Sequence, residues 1–381
     1  MMQTAAILWH VSLLAPPGRK GLALGLVGLV RVLPIVVFSL FSGVVADVLD
    51  RRRLMLATQS AMALLAGLLA WLTFTGLSSL WPVYLLAALT SAAGAFDAPA
   101  RQALIPNLVP REDLPNALAL NTIVFQAASV AGPSMAGLTI GVGGVGWAYA
   151  CNALSFLAVI AGVLMMRGVR AASGEASSDI SLKAAGEGLR FVFASPMIRS
   201  TMLLDFFATF FSSATALLPI FAQDVLKVGA HGYGLLYGAP AVGALLASLV
   251  MVRTVDAIEH RGRVLLWSVA VYGAATVVFG VSREFWLTFA CLAVTGAADT
   301  VSMVFRNIVR QLETPDHLRG RMVGVNMVFF MGGPQLGELE AGLVANWWGP
   351  VVSVVTGGIA SLAATGWIAA ATPALRRYTR H

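Results

Sequence analysis

Eleven stretches of about twenty apolar residues punctuate this chain, and they leave few folds open to it. They run near residues 21–46, 54–76, 80–100, 116–140, 145–166, 198–222, 233–252, 263–281, 284–305, 321–345 and 348–371. A helix rises ~1.5 Å per residue, so ~20 residues cross a ~30 Å hydrocarbon core. Lipid offers the backbone no hydrogen-bond partner, so each stretch must satisfy its own peptide groups and is expected to be a helix. Residues 1–14 are a twelfth apolar stretch, which at ~21 Å is too short to span. Charged residues make up only 11% of the 381, against about a quarter in soluble domains. Too little polar surface remains to coat a water-facing particle, and an all-α polytopic membrane protein is expected.

The net charge of +7 would suggest a nucleic-acid partner in a soluble protein. Here the basic residues follow the loops instead, and no nucleic-acid partner is expected. If the loop holding Arg51, Arg52 and Arg53 is cytoplasmic, alternate segments on that side carry 20 of the 25 Lys and Arg. The outer loops carry Arg19, Lys20, Lys227 and Arg283, and Arg31 falls inside a helix. Basic residues concentrate on the cytoplasmic side of membrane proteins, so a bacterial inner-membrane protein with a cytoplasmic C-terminus is expected, as is a cytoplasmic N-terminus for an intact chain.

The longest polar break divides the chain into an N-terminal helical half, 1–166, a linker, 167–197, and a C-terminal half, 198–381. The linker opens on AASGEASSD, flexible by composition. From Ser181 to Ala194, Leu182, Leu189 and Phe193 share one helical face, as in an amphipathic helix lying on the inner leaflet. The halves also repeat. Arg101 with Pro110 recurs as Arg306 with Pro315 at an offset of 205, and Gly132-Pro133 is followed by Gly333-Pro334 in the corresponding later helix. Asp47 to Arg53 has a degraded echo in Asp256, Arg261 and Arg263. Parallel halves of this kind place a binding site at their interface near the midplane.

The densest motif is GVVADVLDRRR, from Gly43 through Asp47 and Asp50 to Arg53. Gly43 permits close helix approach and the charges sit where the membrane ends, and a plain basic loop on the cytoplasmic side would also account for them. The pattern resembles the signature loop of the major facilitator superfamily. Gly132-Pro133 with Gly137 resembles that superfamily's exporter-type motif, from which Ala136 departs. Phe96 to Leu104, Leu108 to Arg111, Pro315 to Arg321 and Leu22 to Pro34 are similar to the branch containing bacterial enterobactin exporters. The resemblance covers essentially the whole chain and implies two six-helix halves, with the start of the first helix missing here. It further implies a cytoplasmic latch of Asp47, Arg51 and Asp97, flanked by Asp50, Arg52, Arg53 and Arg101, bracing the start of the eleventh helix.

Ionisable groups inside lipid cost at least ~2.5 kcal/mol each near the centre, so each asks for a reason. Arg31, Asp205, Asp299, Glu338 and Glu340 are the candidates, with Gln126 and Gln335 as polar lining. Buried ion pairs would account for them as well as function would. Residues turn ~100° along a helix, so Glu338 and Glu340 cannot both face one path. Gly333, Gly337 and Ala341 form a packing stripe beside Glu340, while Met327, Met331, Gln335 and Glu338 share another face. Glu338 is therefore the first candidate for a proton-coupling acid and Asp205 the next. His10 reads as a solvated interfacial tip, and Cys151 and Cys291 as small core hydrophobes.

The run from Gly141 to Gly146 matches G-x-G-x-x-G, but it lies between apolar helices with no strand before it, so no nucleotide site is expected. Metal-ligand spacings, nucleophile elbows and phosphate loops are lacking too, so neither a cofactor nor an enzyme is expected. The leading expectation is a monomeric transporter that exports a small organic molecule, a siderophore or drug-like amphipath, in exchange for protons. A nutrient importer of the same fold comes second, disfavoured by few polar groups within the helices. A membrane sensor or enzyme comes third.

Overall fold

The computed structural model describes residues 1–110, 112–166, 189–315 and 318–379. Helices α1 (Met2–Leu14), α2 (Lys20–Val48), α3 (Arg51–Phe74), α4 (Leu80–Leu108), α5 (Leu114–Gly143) and α6 (Val145–Met165) form the first series. The second is α7 (Pro196–Phe211), α8 (Gly229–Thr254), α9 (Arg261–Val281), α10 (Phe285–Glu313), α11 (Arg319–Trp348), α12 (Pro350–Ala371) and the short α13 (Pro373–Arg376). Among the described residues ten helical segments are long and apolar enough to cross a membrane, and no strand occurs.

Two helices outrun the apolar reading. α4 was expected to stop near 100 and α10 near 305, yet they reach Leu108 and Glu313. A helix does not need lipid to persist; α4 passes through Pro99 and Pro106, and both helices end where the chain turns extended before a later proline. Val109 before Pro110 and Thr314 before Pro315 are extended, as the residue preceding proline prefers. Arg306 and Arg310, assigned by sequence to a cytoplasmic segment, therefore lie within α10.

The 205-residue repeat reaches the turns as well. Gly144 joins α5 to α6 at φ 86°, ψ 176°, and Gly349 joins α11 to α12 at φ 89°, ψ 160°. That region of backbone space is open to glycine alone. Gly349→Ala should lower thermal stability by about 1–3 kcal/mol, read as a melting shift in detergent. Gly366→Ala, where an added Cβ meets open space on a helix, should leave the melt unchanged.

The span expected as one helix over 198–222 is instead broken. α7 ends at Phe211, and the chain continues as a 3₁₀ turn (Ala214–Leu217), one α turn (Leu218–Ile220) and a π turn (Phe221–Val225). Broken helices survive at membrane depth only where protein covers the freed backbone. Here Gly337 of α11 lies against the Phe210 carbonyl and Gly357 of α12 against that of Phe211. Ser213 Oγ donates to the Pro334 carbonyl at 2.8 Å.

The chain divides into two compact units. One comprises Met1–Pro17, Leu29–Ser178 and Gly229–Gly234; the other comprises Gly18–Gly28, Asp179–Val228 and Leu235–His381. In the first, α3 packs on α4 and α6, and α1 on α5 and α6. His10 is buried there, Nδ1 3.2 Å from the Tyr149 hydroxyl, rather than the solvated tip expected from sequence. In the second unit α9 lies against α10 and α12, and α7 against α11. The C-terminal segment folds back onto α9: the Gly262 N–H donates to the Tyr378 carbonyl at 3.1 Å. Burial and then the Glu313 carboxylate push the Tyr378 phenol up.

Of the expected amphipathic helix, residues 181–188 lie outside the described residues. Residues 189–194 are helical, with Leu189 and Phe193 exposed and Val192 packed with Ile198 and Met202.

Candidate functional site

In the Gly43–Arg53 segment, the side chains at positions 43 and 47 lie outside the described residues. Asp50 and Arg52 make local contacts at helix ends. Asp50 caps α3, accepting from the Arg53 N–H at 3.1 Å. Arg52 reaches the end of α6, its Nε 3.0 Å from the Val163 carbonyl and Nη2 2.7 Å from that of Leu164. The last carbonyls of a helix lack intrahelical donors and carry its negative dipole end, so a guanidinium is well placed there. Arg51 is half-buried, and Arg53 and Arg101 are exposed.

Asp97 is buried, and its Oδ1 accepts from Thr58 Oγ1 at 3.0 Å and Gln59 Nε2 at 2.9 Å, both on α3. Neither partner carries charge, and the sequence reading named neither.

The Gly-Pro segment of α5 makes a close backbone approach. A Cβ on Gly137 would lie 2.6 Å from the Ala230 carbonyl and 2.7 Å from the Gly234 Cα. Pro133 is buried, and its carbonyl lies 2.8 Å from where Gly234 would carry a Cβ. Gln126 and Arg31 are half-buried, on α5 and α2.

Glu338 sits on α11 opposite the glycines of early α2. A Cβ on Gly28 would lie 2.7 Å from both Glu338 Oε2 and the Gln335 carbonyl. Gly21 and Gly25 approach Gly342 just as closely. Glu338 is buried and Gln335 half-buried. The Glu338 side chain and the Gln335 carbonyl thus face early α2. The side chains of Met327 and Met331 lie outside the described residues.

The second unit holds the most concentrated charge. Arg306, 1% exposed, pairs through Nη1 with Asp205 of α7 and through Nη2 with Asp299 at 3.1 Å. Asp205 is 3% exposed and Asp299 42%. Arg310, buried one turn further along, donates from Nε to the Arg306 carbonyl at 3.1 Å. Two carboxylates and two guanidiniums leave the cluster neutral as drawn, and a buried ion persists only when so compensated. Sequence reasoning found both acids but missed their partner, having placed Arg306 outside the membrane. The signal was present: Asp299, Arg306 and Arg310 stand seven and eleven residues apart, on one face of a helix. Among the described residues no cluster suits a metal ion.

Residues 1–378 match the family described as transmembrane secretion effector. The enterobactin exporter EntS of Escherichia coli O1:K1 is 26% identical over 320 residues, 84% of this chain and 76% of that protein. EntS of Shigella boydii serotype 18 is 28% identical over 323 residues, again 84% and 76% of the two chains. Among solved structures, a POT family transporter bound to 5-aminolevulinic acid superposes with a TM-score of 0.75 at 9% identity, covering 98% of this chain and 94% of that one. A D-xylose–proton symporter gives 0.70 at 12% identity, covering 96% and 93%. At these identities the structures speak for the fold alone. The chain belongs to the transmembrane secretion effector family, whose members are major facilitator transporters of the membrane rather than enzymes.

Proposed function

We propose that this chain exports a small organic molecule, a siderophore or drug-like amphipath, from the cytoplasm in exchange for protons. In this reading the halves 1–166 and 198–381 alternate access across a bacterial inner membrane, with the C-terminus cytoplasmic. Direction and substrate class rest on the likeness to enterobactin exporters.

The observation that carries the coupling is one buried arginine shared by two aspartates of unequal exposure. Asp299 is the member water reaches, and it takes the proton. Asp205 keeps Arg306 compensated meanwhile. Protonation adds a positive charge to a neutral buried cluster, and that charge is tolerated only where water or substrate offsets it. Proton occupancy and access state are thereby linked. Glu338, ranked first by sequence, gives way to this pair because it lies in a packed seam.

The test uses everted vesicles holding the full chain, a catecholate siderophore and a pH gradient, acid inside. One proton exchanged per molecule supports about tenfold accumulation per pH unit, since a unit is worth ~1.4 kcal/mol. Accumulation near that level, abolished by a protonophore, is expected. In Asp299→Asn the gradient-driven part should vanish while downhill movement persists. Accumulation indifferent to the gradient removes the coupling, and driven movement in the opposite direction makes the chain an importer.

A further inference from the structure

A groove of about 550 Å³ runs along the second unit between α9 and α12. Arg263, in the first turn of α9, and Arg376, closing α13, stand at one end. They meet because the C-terminal segment folds back: the Leu375 carbonyl rests where Gly262 lacks a side chain. Both arginines are exposed, and among the described residues neither has an ion-pair or hydrogen-bond partner.

Away from that end the lining turns apolar, with Trp267 and Ala270 on one wall and Leu362 and Gly366 on the other. Trp267 is 71% exposed on a spanning helix and so faces lipid, as indoles near a membrane boundary do. Arg263 to Ala270 covers ~10 Å of helix, a large part of one leaflet's hydrocarbon depth. A Cβ added at Gly366 meets nothing within 4 Å, so the trough is open there.

We propose that this groove binds an anionic phospholipid of the bilayer, its phosphate held by Arg263 and Arg376 and an acyl chain laid past Trp267 against Leu362 and Gly366. Two uncompensated guanidiniums at a membrane edge match a phosphate by charge and by bidentate geometry. An ethanolamine headgroup brings its own cation to the same spot. The apolar trough selects a lipid over a free anion, because only a lipid fills both ends.

The test is native mass spectrometry of the full-length detergent-solubilised protein, titrated with phosphatidylglycerol or phosphatidylethanolamine. Wild type should retain phosphatidylglycerol at least tenfold more tightly. Arg263→Gln with Arg376→Gln should bring it down to the phosphatidylethanolamine level. Gly366→Trp, which fills the trough and keeps both arginines, should lose lipid to a similar extent with an unchanged melting temperature. Arg253→Gln with Arg377→Gln removes the same charge from exposed sites outside the groove and should leave retention as in wild type. The proposal is overturned if that control pair falls as far as the groove pair, which would mark a diffuse surface potential. It is equally overturned if Gly366→Trp binds normally, or if millimolar inorganic phosphate displaces the lipid. None of these measurements involves transport.

Discussion

Arg306→Gln should leave the protein barely able to fold, with a stability loss of about 3–5 kcal/mol, the scale for removing one partner of a buried pair. The reason is charge balance. Asp205, Asp299, Arg306 and Arg310 sum to zero, and the substitution leaves two carboxylates against Arg310 alone, with Asp205 only 3% exposed. Adding Asp205→Asn restores neutrality, so the double variant should recover most of the lost melting temperature in detergent. It should still fail to accumulate substrate under a pH gradient, because Asp299 no longer shares its cation. If the double variant melts as low as Arg306→Gln, charge balance is not what the cluster provides. If it transports as wild type does, the cluster has no part in coupling.

Gly337→Leu should be nearly as damaging, for a steric reason. Gly337 lies directly against the Phe210 carbonyl, and a Cβ there would also stand 2.8 Å from that of Ser213. The obstacle is backbone, which cannot rotate away, so α11 and the end of α7 must separate. Overpacking a core typically costs ~1–3 kcal/mol. Here the separation also breaks the Ser213 bond to Pro334 that covers the interruption. A collapsed monodisperse peak in size-exclusion chromatography is expected. Gly332→Leu, with nothing within 4 Å of its added Cβ, should elute and melt as wild type. Equal behaviour of the two variants would show that the close approach at Gly337 does not hold α7.

The fold was legible because lipid imposes one rule on every spanning segment, and apolar runs record it directly. What failed was the assumption that a helix ends where its apolar run ends. α4 and α10 run on to the residues before Pro110 and Pro315, and counting Arg306 as a loop charge hid its pairing with Asp205 and Asp299. The break after Phe211 was equally hidden: Pro219 was visible, but the glycines that accept the freed carbonyls lie more than a hundred residues away on α11 and α12. The acids of the site could be found because a charge in an apolar run is conspicuous. Thr58 and Gln59 could not, since neutral hydrogen-bonding side chains on a helix look the same whether or not they face a carboxylate. The Gly-Pro segment was visible as a motif, yet its partner at Gly234 carries no mark beyond being one more glycine.

Arg52 also fixes an order of events during synthesis. The carbonyls it binds at Val163 and Leu164 are encoded 111 and 112 residues downstream, which at about 5–20 residues per second reach the membrane many seconds after α3. Throughout that interval α3 can pack on α4, but Arg52 lacks the carbonyls it binds in the finished fold. The contact of α3 with α6 therefore forms late, when α6 arrives and is clipped at its end.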